Sequence, residues 1–164
     1  MKAVCNASPL ITLAKAGLLD VLHAIFDRVV VPRAVVSEIV AGHPNDPCRR
    51  ALSQTTWLEQ VALDPPVSGL GAVQLGQGEA EVIEWALRHP EFLALLDDRA
   101  ARRVAEALRV RCAGTLRVLY EASRRKYIAS FAEGVAQLRA AGLHCDQRTV
   151  DRVCRQTAGE LTDS

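Results

Sequence analysis

At 164 residues, 49% of them hydrophobic and with a formal net charge of +1, the chain has the size of a small globular domain that buries roughly two-thirds of its unfolded surface. No stretch approaches the ~18 uninterrupted apolar residues of a membrane span, and the N-terminus MKAVCNASPL lacks the apolar core and cleavage site of a secretory leader, so a cytoplasmic protein with no membrane role is expected. Five cysteines without a CxxC spacing and four histidines without a shared helix face argue against a Cys/His zinc site, and Cys5 and Cys112, in apolar runs, are expected as reduced core residues.

Taken in chain order, short apolar runs alternate with segments of helical periodicity. A strand is expected over 2–5, ending in a polar turn at Asn6, with Ser8 as helix N-cap and Pro9 as the first helical residue. Helices follow over 10–16 and 19–25, then a strand over 28–31 and a helix over 34–40 opening after Pro32. Beyond a loop at 42–47 come a helix over 48–54 and a short strand over 57–61. The stretch 64–78, with Pro65, Pro66, Gly69, Gly71, Gly76 and Gly78, reads as an exposed connection into an amphipathic helix over 79–88. Strand 92–96, helix 99–108, strand 110–113 and helix 115–125 complete a second βαβα unit, which makes parallel pairing the expected arrangement. Two further helices, 131–141 and 149–158, form a C-terminal extension without strands, and the last six residues, GELTDS, are expected to fray. The whole, 1–164, is expected as one domain with a core of about 2–128 and the extension over about 129–160.

Against this frame Asn6, Glu38, Glu79 and the pair Asp97-Asp98 each fall at a strand end or on an adjoining helix, and together they read as one metal site. Phosphodiester hydrolysis at neutral pH needs an acidified water and shielding of the phosphate charge, which a hard cation held by several carboxylates provides. Each residue also has a structural reading. Glu38 sits among apolar neighbours in AVVSEIV, implying a core-facing side where an unpaired carboxylate is costly, but it can equally be an exposed helix Glu. Glu79 can serve the helix dipole, and Glu81 competes for its role. One of Asp97 and Asp98 can cap the helix beginning at Arg99, which leaves the other for metal.

Charge is unevenly distributed. Residues 99–126 carry nine Arg or Lys against Glu106 and Glu121, whereas residues 1–98 carry seven basic against twelve acidic side chains. A carboxylate cluster beside an arginine-rich segment suits an enzyme that holds divalent cations and a polyanion, with Arg99, Arg102 and Arg103 expected at the rim as phosphate contacts. Aromatic residues are too sparse there for base stacking.

The segments VCNASPLI, VVVPRAVVSEIV, LGQGEAEVIEWAL, LLDDRAARRVAEAL and CAGTLRVLYEA, in this order over roughly residues 2–128, resemble the PIN-domain superfamily, and more closely its prokaryotic branch of small PIN-like proteins related to VapC-type toxins. The resemblance implies a three-layer α/β/α fold with a central parallel sheet of about four or five strands, and a Mg²⁺ or Mn²⁺ site that cleaves RNA. It places Asn6 at the first acidic position, Glu38 at the second, Glu79 at the third and Asp98 at the fourth, with Asp97 adjacent. Ser8 matches the small hydroxyl residue after the first position, and Thr115 lies in a Gly-Thr turn expected to cap the next helix. It further implies an RNA substrate, a small antitoxin protein as partner and a homodimer. Asn6 departs from the usual Asp: its carbonyl oxygen still reaches a metal, but a full negative charge is gone.

Two other readings stay open. A catalytically weak PIN-like module that binds RNA or protein is favoured by Asn6 and disfavoured by the remaining carboxylates. A phospho-acceptor, receiver-like domain is prompted by Asp97-Asp98 and Thr115, but it requires a lysine at a later strand end, and the lysines are Lys2, Lys15 and Lys126.

Overall fold

The computed structural model describes residues 1–66 and 75–156. Five strands, β1 (Lys2–Cys5), β2 (Arg28–Pro32), β3 (Leu58–Val61), β4 (Phe92–Leu95) and β5 (Cys112–Ala113), form a sheet in the order β3-β2-β1-β4-β5 with every pairing parallel. Strands of a parallel sheet are covered on both faces and therefore read as unbroken apolar runs. Val29, Val30 and Val31, and likewise Phe92 to Leu95, are buried, and central Val4 pairs with Val30 on one side and Ala94 on the other.

Among the described residues nine helices accompany the sheet: α1 (Ala7–Lys15), α2 (Asp20–Ile25), α3 (Arg33–Ala41), α4 (Pro47–Gln54), α5 (Gln77–Arg88), α6 (Arg99–Ala107), α7 (Thr115–Arg124), α8 (Phe131–Ala140) and α9 (Gln147–Gln156). The architecture is the three-layer α/β/α arrangement expected, with five strands. Its strand order also separates it from receiver-like domains, whose order is of the 2-1-3-4-5 type.

Differences from the expected boundaries lie at element ends and have local causes. The N-cap of α1 is Asn6, not Ser8, because β1 runs to Cys5 and the Asn6 backbone N–H pairs with the Leu95 carbonyl, so the chain turns at once. Pro9 therefore sits third in α1, where a missing N–H still leaves no intrahelical bond unmade. Gly114, not Thr115, is the N-cap of α7. Strand β5 is shorter than 110–113 because α6 ends in a Schellman motif that consumes Val110: its N–H bonds to the Ala105 carbonyl, and Arg109 bonds to Glu106 from the left-handed region at φ 58°. The connection over 67–74, including Gly69 and Gly71, the expected end of the last helix at 157–158 and the GELTDS tail lie outside the described residues.

The extension packs back on the core. Helix α8 lies on α7 and α1, and α9 lies on α7. Gly134 makes the close approach of α8 to α7 feasible, since a Cβ there would stand 2.8 Å from Leu119 Cδ2. Val135 and Leu138 complete the buried face of α8, and Phe131 meets Tyr120 edge-on at 5.3 Å between ring centroids. Among the described residues no helix is long and apolar enough to cross a membrane.

Candidate active site

The chain leaves β1 toward β2 and β3 on one side, then crosses to β4 and β5 on the other, so β1 and β4 flank a topological switch point. In open α/β sheets the crevice beyond the strand C-termini at such a point is where ligands bind. Asn6 follows β1, Asp97 lies two residues beyond β4 and Thr115 begins the helix after β5, while α3 brings Glu38 in from the β2 side.

Asn6 is only 5% exposed, and its Oδ1 is buried without a hydrogen-bond partner. Asn is among the strongest N-cap residues, yet this side chain makes no capping bond to α1. The sequence explains why in part: an N-cap oxygen accepts from the second or third helical N–H, and the third residue is Pro9, which has none. Glu38 faces the same point from α3. A Cβ built on Gly78 would lie 3.0 Å from Glu38 Oε2 and 3.2 Å from Asn6 Oδ1, so both oxygens converge over the backbone of the second residue of α5. Of the two readings of Glu38 the exposed one holds: the residue is exposed as a whole, beside buried Val35 and Ile39, with its carboxylate turned toward Asn6.

Glu79 and Glu81 are engaged elsewhere. Glu79 Oε2 accepts from the Gly76 N–H at 3.0 Å and so caps its own helix. Glu81 Oε2 accepts from the Ala34 N–H at 2.9 Å, serving the first turn of α3, whose N-cap Pro32 offers no capping side chain.

The acidic pair after β4 divides its labour opposite to expectation. Asp98 is the N-cap of α6, its Oδ1 accepting from Ala100 N–H at 2.7 Å and Ala101 N–H at 2.9 Å. Asp97, which the resemblance places only beside the fourth position although the pair as a whole is a metal candidate, points into the crevice: Oδ1 accepts from Thr115 N–H at 2.7 Å, and Oδ2 from Thr115 Oγ1 at 2.7 Å and Ser8 Oγ at 3.5 Å. Its charge is felt by buried Cys5, whose thiol is held well above its ordinary pKa first by burial and then by Asp97.

Two poles result, Asn6 with Glu38 and Asp97 with Ser8 and Thr115. Among the described residues no three His, Cys, Asp or Glu side chains gather closely enough to hold a metal ion. The expected gathering of Asn6, Glu38, Glu79 and Asp97-Asp98 is thus displayed only for Asn6 and Glu38, while helix caps hold Glu79 and Asp98. The Asn6–Glu38 pole nonetheless fits a cation. A buried acceptor with no donor faces a carboxylate, and a positive charge between them satisfies both where neither oxygen can satisfy the other.

The expected arginines stand at the Asp97 end. Arg102 Nη1 donates to the carbonyls of Leu96 at 3.2 Å and Asp97 at 2.9 Å, fastening α6 to the end of β4, and Arg99 and Arg103 are exposed beside it. All three line a groove of about 1330 Å³ that includes Asp97 and Gly114. Sequence reasoning misses Gly78 as the floor under Asn6 and Glu38; the one available signal is its place immediately before Glu79 at a helix start.

A family model described as a PIN domain matches residues 2–160, through both helices of the extension. The chain belongs to the PIN-domain family. No curated protein matches it. PIN domains are in general nucleases that use divalent metals, which supports a nuclease-type function for the crevice.

Proposed function

We propose that the protein is a metal-dependent endoribonuclease that hydrolyses RNA phosphodiester bonds at the crevice between β1 and β4. The observation that carries this reading is the unpartnered Asn6 Oδ1 facing the Glu38 carboxylate over Gly78. Asn6 and Glu38 would hold a Mg²⁺ or Mn²⁺ ion, with Asp97 as the carboxylate of the opposite pole, oriented by Ser8 and Thr115. Such an ion supplies an acidified water and neutralises phosphate charge. Glu79 Oε2 and Asp98 Oδ1 are committed to helix caps, worth about 1 kcal/mol each, so only their second oxygens are open to a cation while the caps hold. Arg99 and Arg103 contact the phosphates beside Asp97.

The toxin role, with a small antitoxin as partner, a homodimer as assembly and the cytoplasm as location, rests on the resemblance to VapC-type toxins. A catalytically weak RNA- or protein-binding module is the second reading, favoured by the absence of a three-carboxylate group among the described residues. Incubating the purified chain with labelled RNA and Mn²⁺, against EDTA and against Glu38→Gln, decides between them. Cleavage that requires metal and Glu38 supports the nuclease; intact RNA at saturating Mn²⁺ selects the binding module.

A further inference from the structure

The groove beside Asp97 does not stop at the core. Its lining comes from α6 and the first turn of α7, with Arg99, Arg103 and Arg117, and from the extension, with Arg139 in α8 and Arg152 in α9. Seven arginines line it against Asp97, Glu106 and Asp146, a formal balance of +4. Several of these charges are not neutralised by the hydrogen bonds they make. Arg102 donates to two backbone carbonyls, Arg111 to the Pro90 carbonyl, and Arg139 to the Cys145 carbonyl and the Gln147 amide oxygen. These neutral acceptors orient the guanidinium groups and leave their charge facing the groove.

Building on the nuclease reading of the adjoining crevice, we propose that α8 and α9 form the second wall of a binding groove for single-stranded RNA, which delivers the strand's backbone to Asp97. The volume, about 1330 Å³, exceeds the ~300–1,000 Å³ of a small-molecule site and suits an elongated ligand. A cationic lining from both the core and the extension matches a ligand with one negative charge per nucleotide, and arginine is the side chain whose planar fork fits phosphate. Among the described residues no tryptophan, tyrosine or phenylalanine lines the groove, so recognition is of the backbone and not of particular bases. Continuity with Asp97 favours RNA over an acidic protein segment, because it leads the polyanion to the candidate reaction centre.

The test uses the full chain and a short fluorescein-labelled RNA of mixed sequence, followed by fluorescence anisotropy in EDTA so that no cleavage occurs. Arg103→Glu and Arg152→Glu reverse exposed charges in α6 and α9, and circular dichroism confirms that both variants fold. Each should weaken binding by roughly tenfold, and each lost phosphate contact should flatten the dependence of log affinity on log salt by about 0.7. Wild-type affinity and salt slope in folded Arg152→Glu would overturn the second wall. A polyglutamate peptide that displaces the RNA at equal charge concentration would overturn the choice of occupant. Because binding is read without metal, a chain that binds RNA in this way but cuts none at saturating Mn²⁺ refutes the nuclease reading and leaves the groove standing.

Discussion

Asp97 holds Thr115 through both carboxylate oxygens, one accepting the backbone N–H and the other the hydroxyl, each at 2.7 Å. The end of β4 thereby satisfies the first turn of α7, whose own N-cap is Gly114 and has no side chain to offer. The carboxylate that enters the crevice is thus also a structural clamp. Thr115→Val removes the hydroxyl and keeps the N–H, so urea denaturation should show a loss of roughly 1.5–3 kcal/mol for a bond to a charged acceptor. An unchanged midpoint would mean that Thr115 Oγ1 contributes nothing to holding Asp97.

Pro9 keeps the Asn6 side chain available to the crevice by withholding the N–H to which a capping Asn would bond. Pro9→Ala restores that donor. Capping adds about 1 kcal/mol, while losing proline's restraint on the unfolded chain costs about 0.4–1 kcal/mol, so the melting temperature should barely move. Mn²⁺ affinity, measured by calorimetry, should fall because Asn6 Oδ1 then has a competing partner. Equal affinity in the two proteins would show that Asn6 is not a ligand.

Legible in the sequence are the features that depend on neighbours along the chain. The alternation of strand and helix, the sheet's parallel sense and the switch-point positions, Asn6 and the pair Asp97-Asp98, follow from apolar runs such as Val29 to Val31 ending at polar turns. The resemblance puts Asn6 and Glu38 in one site together with Glu79 and Asp98, which neighbours along the chain alone do not. Illegible are partnerships across the fold. Nothing local distinguishes Asp97 from Asp98, since either can cap α6, and the choice is made by Thr115, which lies 18 residues away. Glu79 and Glu81 differ for the same reason, one capping its own helix and the other reaching Ala34. Arg139 and Arg152 look like ordinary solvated helix charges until packing on α7 brings the extension against the groove.

Burial pushes the Cys48 thiol up from 9.0 to about 12, with Asp46 adding to the effect, and raises buried Cys5 in the same sense. The fold therefore favours the neutral thiols. Their contribution to stability is fully present below the unfolded thiol's pKa and is lost as pH rises from about 9 through the folded value near 12. Alkaline unfolding should set in within that window and be blunted in Cys48→Ala after allowance for the cavity. Iodoacetamide at pH 8 should modify exposed Cys154 before Cys5 or Cys48. Rapid labelling of Cys48 in the folded protein would contradict its burial.

Asn6→Asp places a second carboxylate opposite Glu38 over Gly78, where the present pair is an amide oxygen and a carboxylate. Without metal, two negative charges share a site in which Asn6 Oδ1 already lacks a donor, so the variant should melt lower than the wild type in EDTA. With Mn²⁺ the order should reverse, because the added charge strengthens coordination of a hard cation and ligand binding to the native state raises stability. Cleavage of RNA at limiting Mn²⁺ should rise in parallel under the nuclease reading, whereas a binding module would show the reversal in melting temperature with its RNA intact. A variant that melts lower than the wild type at every Mn²⁺ concentration would place the cation elsewhere than between Asn6 and Glu38.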